Sequence, residues 1–124
     1  MILGIGTDIV SVERIERAIE QYGARFADRV FTTDEWEFCK SRAGNAECLA
    51  GRFAVKEAAF KALGHGWDEC GGFTSVEVVR QPKRRPEIVF HGRAKEIAER
   101  ISVTRAHVSI THDAGFAAAI VVLE

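Results

Sequence analysis

Apolar residues recur every three or four positions through the first half of the chain, the spacing of amphipathic helices. After a strand-like run at 4–10, Ser11 is a favourable N-cap and Gly23 a favourable helix end. Between them, the apolar face of a first helix consists of Val12, Ile15, Ile19 and Tyr22. A second helical stretch covers 24–30. Thr32 and Glu35 then have the spacing of a capping box, so we expect a third helix to begin there.

The longest predicted helix is rich in alanine and runs from Ala46 to Leu63. Asn45 is its expected N-cap and Gly64 its expected end. Small side chains allow neighbouring elements to approach it closely on several sides, because the distance between packed elements depends on the side chains at the contact. They lie at Ala54, Ala58, Ala59 and Ala62. We therefore expect this helix at the centre of the fold.

Strand signals dominate the second half of the chain. Four short runs rich in β-branched or alternating apolar residues form two predicted hairpins. These runs lie at 74–80, 87–91, 107–111 and 116–123. A predicted helix at 92–101 separates the hairpins, and the glycine-rich segment 64–72 is expected to be a loop. Helices mainly first and strands mainly last predict an α+β fold, with an antiparallel sheet packed against the long central helix.

The composition indicates one small domain with no strong charge. The 124 residues suffice for a single hydrophobic core, so we expect one domain spanning 1–124. A net charge of −1 and a sequence pI near 6.4 argue against nucleic-acid binding. Three cysteines without C-x-x-C spacing indicate neither a disulfide framework nor a zinc site. No signal-like segment or membrane-length apolar run occurs, so the expected location is the reducing cytoplasm, without membrane contact.

Asp8 is an acidic residue inside the apolar run 4–10. An ionised carboxylate that leaves water is strongly destabilised unless it is paired or bound to a cation. Strand alternation places Gly4 and Gly6 on the same face as Asp8, and glycines let backbone or ligand approach closely. Asp8 is therefore either part of a charged site or a cap for the following helix.

Glu57 and Lys61 lie four residues apart on the long helix, on one face with Phe53 and Phe60. Such a pair is commonly a solvent-exposed ion pair worth about 0.3–0.5 kcal/mol. On a central helix, the same pair would instead point into a site shared with Asp8. Two carboxylates without a cysteine or clear histidine partner favour magnesium, which completes its shell with water and substrate phosphates. This pattern indicates a magnesium site for a phosphate-bearing substrate.

Strand alternation also places His107, Ser109 and Thr111 on one face. Their side chains suit hydrogen bonds to phosphate or sugar oxygens, and they equally suit the solvated face of a sheet. No G-x-S-x-G surrounds a serine, which argues against a hydrolytic triad. Neither a P-loop nor a complete dinucleotide-binding glycine fingerprint is present.

Three blocks of sequence follow one another along the chain: G-I-G-T-D-I-V at 4–10, R-F-A-V-K-E-A-A-F-K-A-L-G at 52–64 and H-V-S-I-T-H-D at 107–113. In order and spacing they resemble the signature blocks of the holo-(acyl-carrier-protein) synthases, the short type of 4′-phosphopantetheinyl transferase. F-T-T-D-E-W at 31–36 resembles an intervening segment of that family. The resemblance covers essentially the whole chain.

The resemblance implies transfer of the phosphopantetheine arm of coenzyme A to a serine of apo acyl carrier protein, which releases adenosine 3′,5′-bisphosphate and serves fatty acid biosynthesis. It implies a magnesium cofactor and a homotrimer with active sites at subunit interfaces. By residue match, Asp8 and Glu57 would bind the metal, and Glu57 and Lys61 would be catalytic, with Lys61 at the diphosphate. The serine proton would pass to Glu57 directly or to a metal-bound water.

Substrate contacts follow from the same match. For coenzyme A, the expected residues are Arg52, Lys61, His107, Ser109 and Thr111. Carrier proteins of this kind are acidic, so their dock is expected to be basic and to include Arg14, Arg17 and Arg25. Arg14 is the leading candidate. The loop 65–72 departs from the family pattern, with Trp67, Asp68 and Cys70.

Two other functions fit the same residues. A magnesium-dependent phosphohydrolase would use Asp8 and Glu57 with water as the nucleophile. A non-catalytic trimeric interaction module would carry Glu57 and Lys61 only as a surface ion pair.

Overall fold

Five strands, five helices and one short 3-10 turn make up the fold, and the computed structural model describes all residues 1–124. The strands are β1 (Gly4–Ser11), β2 (Val76–Val79), β3 (Glu87–Phe90), β4 (Ala106–Asp113) and β5 (Phe116–Leu123). The helices are α1 (Val12–Tyr22), α2 (Ala24–Val30), α3 (Thr33–Lys40), α4 (Asn45–Leu63) and α5 (Gly92–Arg100), with the 3-10 turn at Phe73–Ser75. None of the helices is both long and apolar enough to cross a membrane.

The strands form two antiparallel sheets that both contact α4. The larger sheet has the order β1-β5-β4, with Gly6 opposite Val121 and Ser109 opposite Ile120. The smaller sheet is the β2-β3 hairpin. The predicted α+β fold, with antiparallel strands packed on a long central helix, is confirmed. The sequence did not show that the strands divide between two sheets.

Helix α4 is buried around most of its circumference, because its alanines let strands and helices approach from several directions. Ala50, Ala54, Ala58 and Ala59 are fully buried. The helix ends as predicted at Gly64, which has the left-handed φ of 79°. Its start differs from the prediction: Gly44 occupies the N-cap position, and Asn45 is the first helical residue, with no side-chain cap hydrogen bond. The predicted capping box of α3, formed by Thr32 and Glu35, is present.

Glycines at the start of β1 allow this strand to lie directly on the backbone of α4. A Cβ atom added at Gly6 would lie 1.8 Å from the carbonyl oxygen of Ala58, and one at Gly4 would lie 2.0 Å from that of Ala62. Both distances are far below van der Waals contact, so neither position accepts a side chain without moving the strand or the helix. The contact places Asp8, two residues after Gly6, beside α4.

We expect the Gly6→Ala substitution to destabilise the protein by about 1–3 kcal/mol, because overpacking a tight contact forces the backbone apart. Thr7 is the matched control, since its exposed side chain is on the opposite face of β1. Thr7→Ala should change the free energy of unfolding by less than about 0.5 kcal/mol. Urea unfolding midpoints measure both effects. Equal stability of the Gly6→Ala and wild-type proteins would contradict the close packing.

Cys39 and Cys48 form a disulfide, which corrects the expectation that none of the cysteines would pair. Cys39 lies near the end of α3 and Cys48 in the first turns of α4, and the short connection at 41–44 returns the chain on itself. The packing of α3 on α4 brings the two buried side chains together. Because this pairing depends on tertiary contact, the cysteine spacing alone did not predict it. Cys70 is buried and free.

Candidate active site

Asp8 and Lys61 meet at the contact between β1 and α4. The ammonium Nζ of Lys61 lies 3.3 Å from Oδ1 of Asp8 and donates a hydrogen bond of 3.0 Å to the carbonyl oxygen of Thr7. The Asp8 side chain is mostly buried, whereas that of Lys61 is 56% exposed. An ion pair with one exposed member contributes little stability, so the arrangement is better suited to binding an anion than to holding the fold.

A second carboxylate, that of Glu57, lies close enough to Asp8 for the charge of Asp8 to affect its pKa. Partial burial raises the pKa of Glu57, and the negative charge of Asp8 raises it further, while Lys61 and Arg14 oppose the shift. The second oxygen of Asp8, Oδ2, is buried and has no hydrogen-bond partner. Two like charges and an unpaired buried oxygen are the features expected where a cation can bind.

The two carboxylates suit magnesium better than a metal that needs a complete set of protein ligands. No group of three or more His, Cys, Asp or Glu side chains is positioned to hold a metal ion. Magnesium typically uses one or two carboxylates and takes its other ligands from water and phosphate oxygens. Asp8 and Glu57 therefore fit this ion as a partial ligand set.

An open cleft of about 490 Å³ lies beside Asp8 and Lys61 and extends across β5 to β4. Ser109 and Thr111 of β4 both line it. The other lining residues are Thr7 and Ile9 of β1 and Ala118, Ala119 and Ile120 of β5. The cleft is thus bordered by hydroxyl groups, the Asp8 carboxylate and the Lys61 ammonium.

Two of the residues assigned to coenzyme A lie outside this cleft. His107 is at the other end of β4, with Nε2 3.0 Å from Oε1 of Glu124. Arg52 is buried on another side of α4, with its guanidinium 4.7 Å from the centroid of the Phe38 ring and its Nε without a partner. Burial lowers the pKa of Arg52 to about 10, although Glu35 opposes the shift. Within one chain, Arg52 and His107 do not join Asp8 and Lys61.

The three arginines of the expected carrier dock are exposed but differ in their surroundings. Arg17 pairs with Glu13 on the same face of α1, so Glu13 partly cancels the positive charge that Arg17 presents to a partner. The positive charge of Arg14 opposes the raised pKa of Glu57, so Arg14 lies on the same side of the protein as that carboxylate. Arg25 is on the neighbouring helix α2. Arg14 therefore has the best position to contact a partner at the site.

Sequence reasoning missed a buried ion pair behind the cleft. Nζ of Lys56 lies 2.8 Å from Oε1 of Glu35, and neither side chain is exposed. Lys56 also donates hydrogen bonds to the carbonyl oxygens of Phe73 and Val76, and Glu35 accepts one from the backbone N–H of Val78. The pair joins α3 and α4 to the 3-10 turn and to β2. The sequence held one sign of this ion pair: Lys56 is a charged residue on a helix predicted to be buried on several sides, so it needed a buried partner.

The outer face of the larger sheet leaves apolar side chains in solvent. Ile5, Ile9, Phe116 and Ile120 are 41–65% exposed. Ile5 and Ile9 lie on the face of β1 opposite Asp8, as strand alternation predicts. Monomeric proteins rarely expose a contiguous apolar surface, so this face is a candidate for contact with another chain.

Comparison with known proteins relates the chain to one family. The family model of the 4′-phosphopantetheinyl transferase superfamily matches residues 4–121. The holo-(acyl-carrier-protein) synthase of Koribacter versatilis is 47% identical, over the whole of this chain and 99% of its own length. The protein of the same name from Desulfovibrio desulfuricans is 45% identical, over the whole of this chain and 98% of its own length.

Solved structures give the same relationship. The crystal structure of holo-(acyl-carrier-protein) synthase from Neisseria meningitidis matches with a TM-score of 0.90 and 33% identity, covering all of this chain and 99% of the other. The enzyme of that name from Helicobacter pylori, in complex with coenzyme A, matches with a TM-score of 0.85 and 36% identity, covering 97% of this chain and 99% of the other.

Proposed function

The chain belongs to the 4′-phosphopantetheinyl transferase superfamily, and we propose that Asp8, Glu57 and Lys61 form the site at which it transfers the phosphopantetheine arm of coenzyme A to a serine of apo acyl carrier protein. Relatives that align along their full length are named for this activity, and a neighbouring structure contains coenzyme A. Coenzyme A is the donor substrate and the carrier protein the acceptor, and adenosine 3′,5′-bisphosphate is released.

One observation supports this site above the others. Two residues 53 positions apart in sequence, Asp8 and Lys61, make direct contact, and Glu57 senses the charge of Asp8. These are the residues that the first two signature blocks supply. Such a site does not require covalent catalysis by the protein, because phosphoryl transfer depends mainly on alignment and charge neutralisation.

We propose that Asp8 and Glu57 hold a magnesium ion. The unpaired Oδ2 of Asp8 and the raised pKa of Glu57 support this assignment. When bound, magnesium neutralises charge on the diphosphate oxygens of coenzyme A. Lys61 adds a positive charge at the same place and is held by the carbonyl oxygen of Thr7.

The transfer step is a displacement at phosphorus. The serine Oγ of the carrier attacks the phosphorus that bears the pantetheine arm, and the bond from this phosphorus to the oxygen of the adenosine bisphosphate breaks. That oxygen leaves with the bonding electrons, and Lys61 stabilises its charge. We assign the serine proton to Glu57, because a carboxylate beside the contact of Asp8 with Lys61 can act as a general base.

We further propose that the enzyme is a homotrimer. Ser109 and Thr111 lie at the cleft, but Arg52 and His107 lie elsewhere in the same chain, so a coenzyme that contacts all four would need residues of two subunits. The exposed Ile5, Ile9, Phe116 and Ile120 provide an apolar surface for assembly. Sedimentation equilibrium tests this assignment, and a monomer at micromolar concentration would reject it. We also propose that the activity is cytoplasmic.

Incubation with coenzyme A, magnesium and an apo carrier tests the function. Transfer adds the mass of one phosphopantetheine to the carrier and releases adenosine 3′,5′-bisphosphate in equal amount. Release of nucleotide or phosphate without a change in carrier mass would indicate a phosphohydrolase instead. If neither product forms, and Asp8→Asn and Glu57→Gln leave metal and coenzyme binding unchanged, the result would indicate a non-catalytic interaction module.

We expect Arg14→Glu to raise the KM for the carrier about tenfold, which corresponds to about 1.4 kcal/mol of binding, and to leave the KM for coenzyme A within about twofold. Arg14 is exposed on the same side of the protein as Glu57, and reversing its charge repels an acidic partner. Lys95→Glu on α5 is the matched control, because Lys95 is also exposed but belongs to a helix outside the site. Equal effects of both reversals on the carrier KM would remove Arg14 from the dock.

A further inference from the structure

A stack of aromatic rings covers α4 next to Glu57. Phe53 and Phe60 lie four residues before and three residues after Glu57, so their side chains emerge on its side of the helix. The ring of Phe73 stacks on Phe53, with centroids 5.6 Å apart and planes inclined by 22°. It meets Phe60 edge-on, at 5.7 Å and 70°. Phe73 therefore covers the helix surface that adjoins the carboxylate.

Trp67 extends this stack outward from the glycine-rich loop. Its ring lies 5.5 Å from that of Phe73, with only 16° between the planes. The carbonyl oxygen of Trp67 accepts a 2.7 Å hydrogen bond from the backbone N–H of Gly72, which closes the loop. Nevertheless, 48% of the Trp67 surface is exposed. The outer part of the stack thus presents an apolar surface to solvent.

The charged groups lie on the other side of Glu57. Gly6 packs on Ala58, and Lys61 contacts Asp8, so β1 borders α4 on the side opposite the aromatic stack. Glu57 therefore stands between a charged surface and an aromatic surface. A ligand that spans both would carry a charged group joined to an uncharged, partly apolar one.

We propose that Trp67 is a specificity-determining residue that binds the pantetheine arm of coenzyme A on the exposed part of its indole. This assignment rests on the proposed function of the Asp8–Glu57–Lys61 site. The arm begins at the phosphorus that is attacked, and its dimethyl and methylene groups are the parts that gain from contact with an aromatic face. Adenosine 3′,5′-bisphosphate carries the base and two of the three phosphates of coenzyme A but lacks the arm and the phosphate attached to it, so it separates contact with Trp67 from binding of the adenosine end.

Tryptophan fluorescence tests the contact without any carrier protein. The chain has two tryptophans, so Trp36→Phe leaves Trp67 as the only one. Titration of this variant with coenzyme A should change the Trp67 emission. Adenosine 3′,5′-bisphosphate should compete for binding but leave the emission unchanged. Equal emission changes with both ligands, or none with coenzyme A at saturation, would overturn the assignment. Because no transfer is needed, the fluorescence result can overturn the role of Trp67 while the proposed function still holds.

Kinetics give a second, separate test. We expect Trp67→Ala to raise the KM for coenzyme A about tenfold, a loss of about 1.4 kcal/mol, with kcat within about twofold of wild type. Trp67→Phe should restore most of the affinity, because it keeps an aromatic surface. Inhibition by adenosine 3′,5′-bisphosphate should be the same in all three proteins. An unchanged KM in Trp67→Ala, or a parallel loss of inhibition, would overturn the role of Trp67, whereas absence of transfer by the wild-type enzyme would overturn the proposed function.

Discussion

Replacement of Lys56 by methionine is expected to destabilise the protein by about 3–5 kcal/mol, because it leaves the buried carboxylate of Glu35 without its counter-charge. The two side chains are fully buried and 2.8 Å apart. Burial lowers the pKa of Lys56, while Glu35 opposes that shift, so the ammonium depends on its partner. Lys56 also donates to the carbonyl oxygens of Phe73 and Val76, which would lose their donor. Urea unfolding measures the loss.

Two further variants separate the ion pair from the general effect of replacing a lysine. Lys61→Met changes a 56% exposed lysine on the same helix and should alter stability by less than about 1 kcal/mol, although activity should fall. The double variant Lys56→Met/Glu35→Gln removes the unpaired charge and should recover part of the stability lost in Lys56→Met. If Lys56→Met and Lys61→Met were equally stable, the buried pair would not support the fold.

Asp8→Asn should lower metal-supported turnover about a hundredfold, which corresponds to about 2.7 kcal/mol of transition-state stabilisation. The substitution keeps the shape of the side chain but removes the charge that the proposed magnesium site requires. Turnover and the magnesium concentration for half-maximal activity are the quantities to measure. A loss smaller than tenfold would contradict the role of Asp8 as a metal ligand.

The same variant has a consequence that does not depend on catalysis. Burial is the main cause of the raised pKa of Glu57, and the charge of Asp8 is the second. Removal of that charge should therefore lower the pKa of Glu57 in the metal-free protein, as measured by NMR titration. Asp34→Asn, at an exposed carboxylate in the first turn of α3, is the control and should change neither turnover nor this pKa.

The local signals in the sequence predicted most of the fold because each has a short-range physical cause. Ser11 and Thr32 cap α1 and α3, and Gly23 and Gly64 end α1 and α4. The alternation of β1 also placed Asp8 correctly on the face that meets α4. Ser109 and Thr111 line the cleft from the opposite, exposed face of the sheet, where the alternation of β4 places them.

Features that depend on tertiary contact could not be predicted from the sequence. The pairing of Cys39 with Cys48 requires α3 to fold back on α4, and the partner of Lys56 comes from a different helix. Arg52 was assigned to coenzyme A through family resemblance, yet its guanidinium lies against Phe38, away from Asp8. Helical spacing fixed which side of α4 it occupies but gave no information on what covers that side.

The backbone contact of Gly4 and Gly6 with Ala62 and Ala58 has a wider consequence for how this enzyme can diversify. The spacing between Asp8 and Glu57 is set by main-chain atoms of a strand and a helix, so it does not depend on the identity of surface side chains. The glycine-rich loop and the first helix are therefore free to change during evolution, and new carriers or acylated donors can be recruited while the chemistry stays constant.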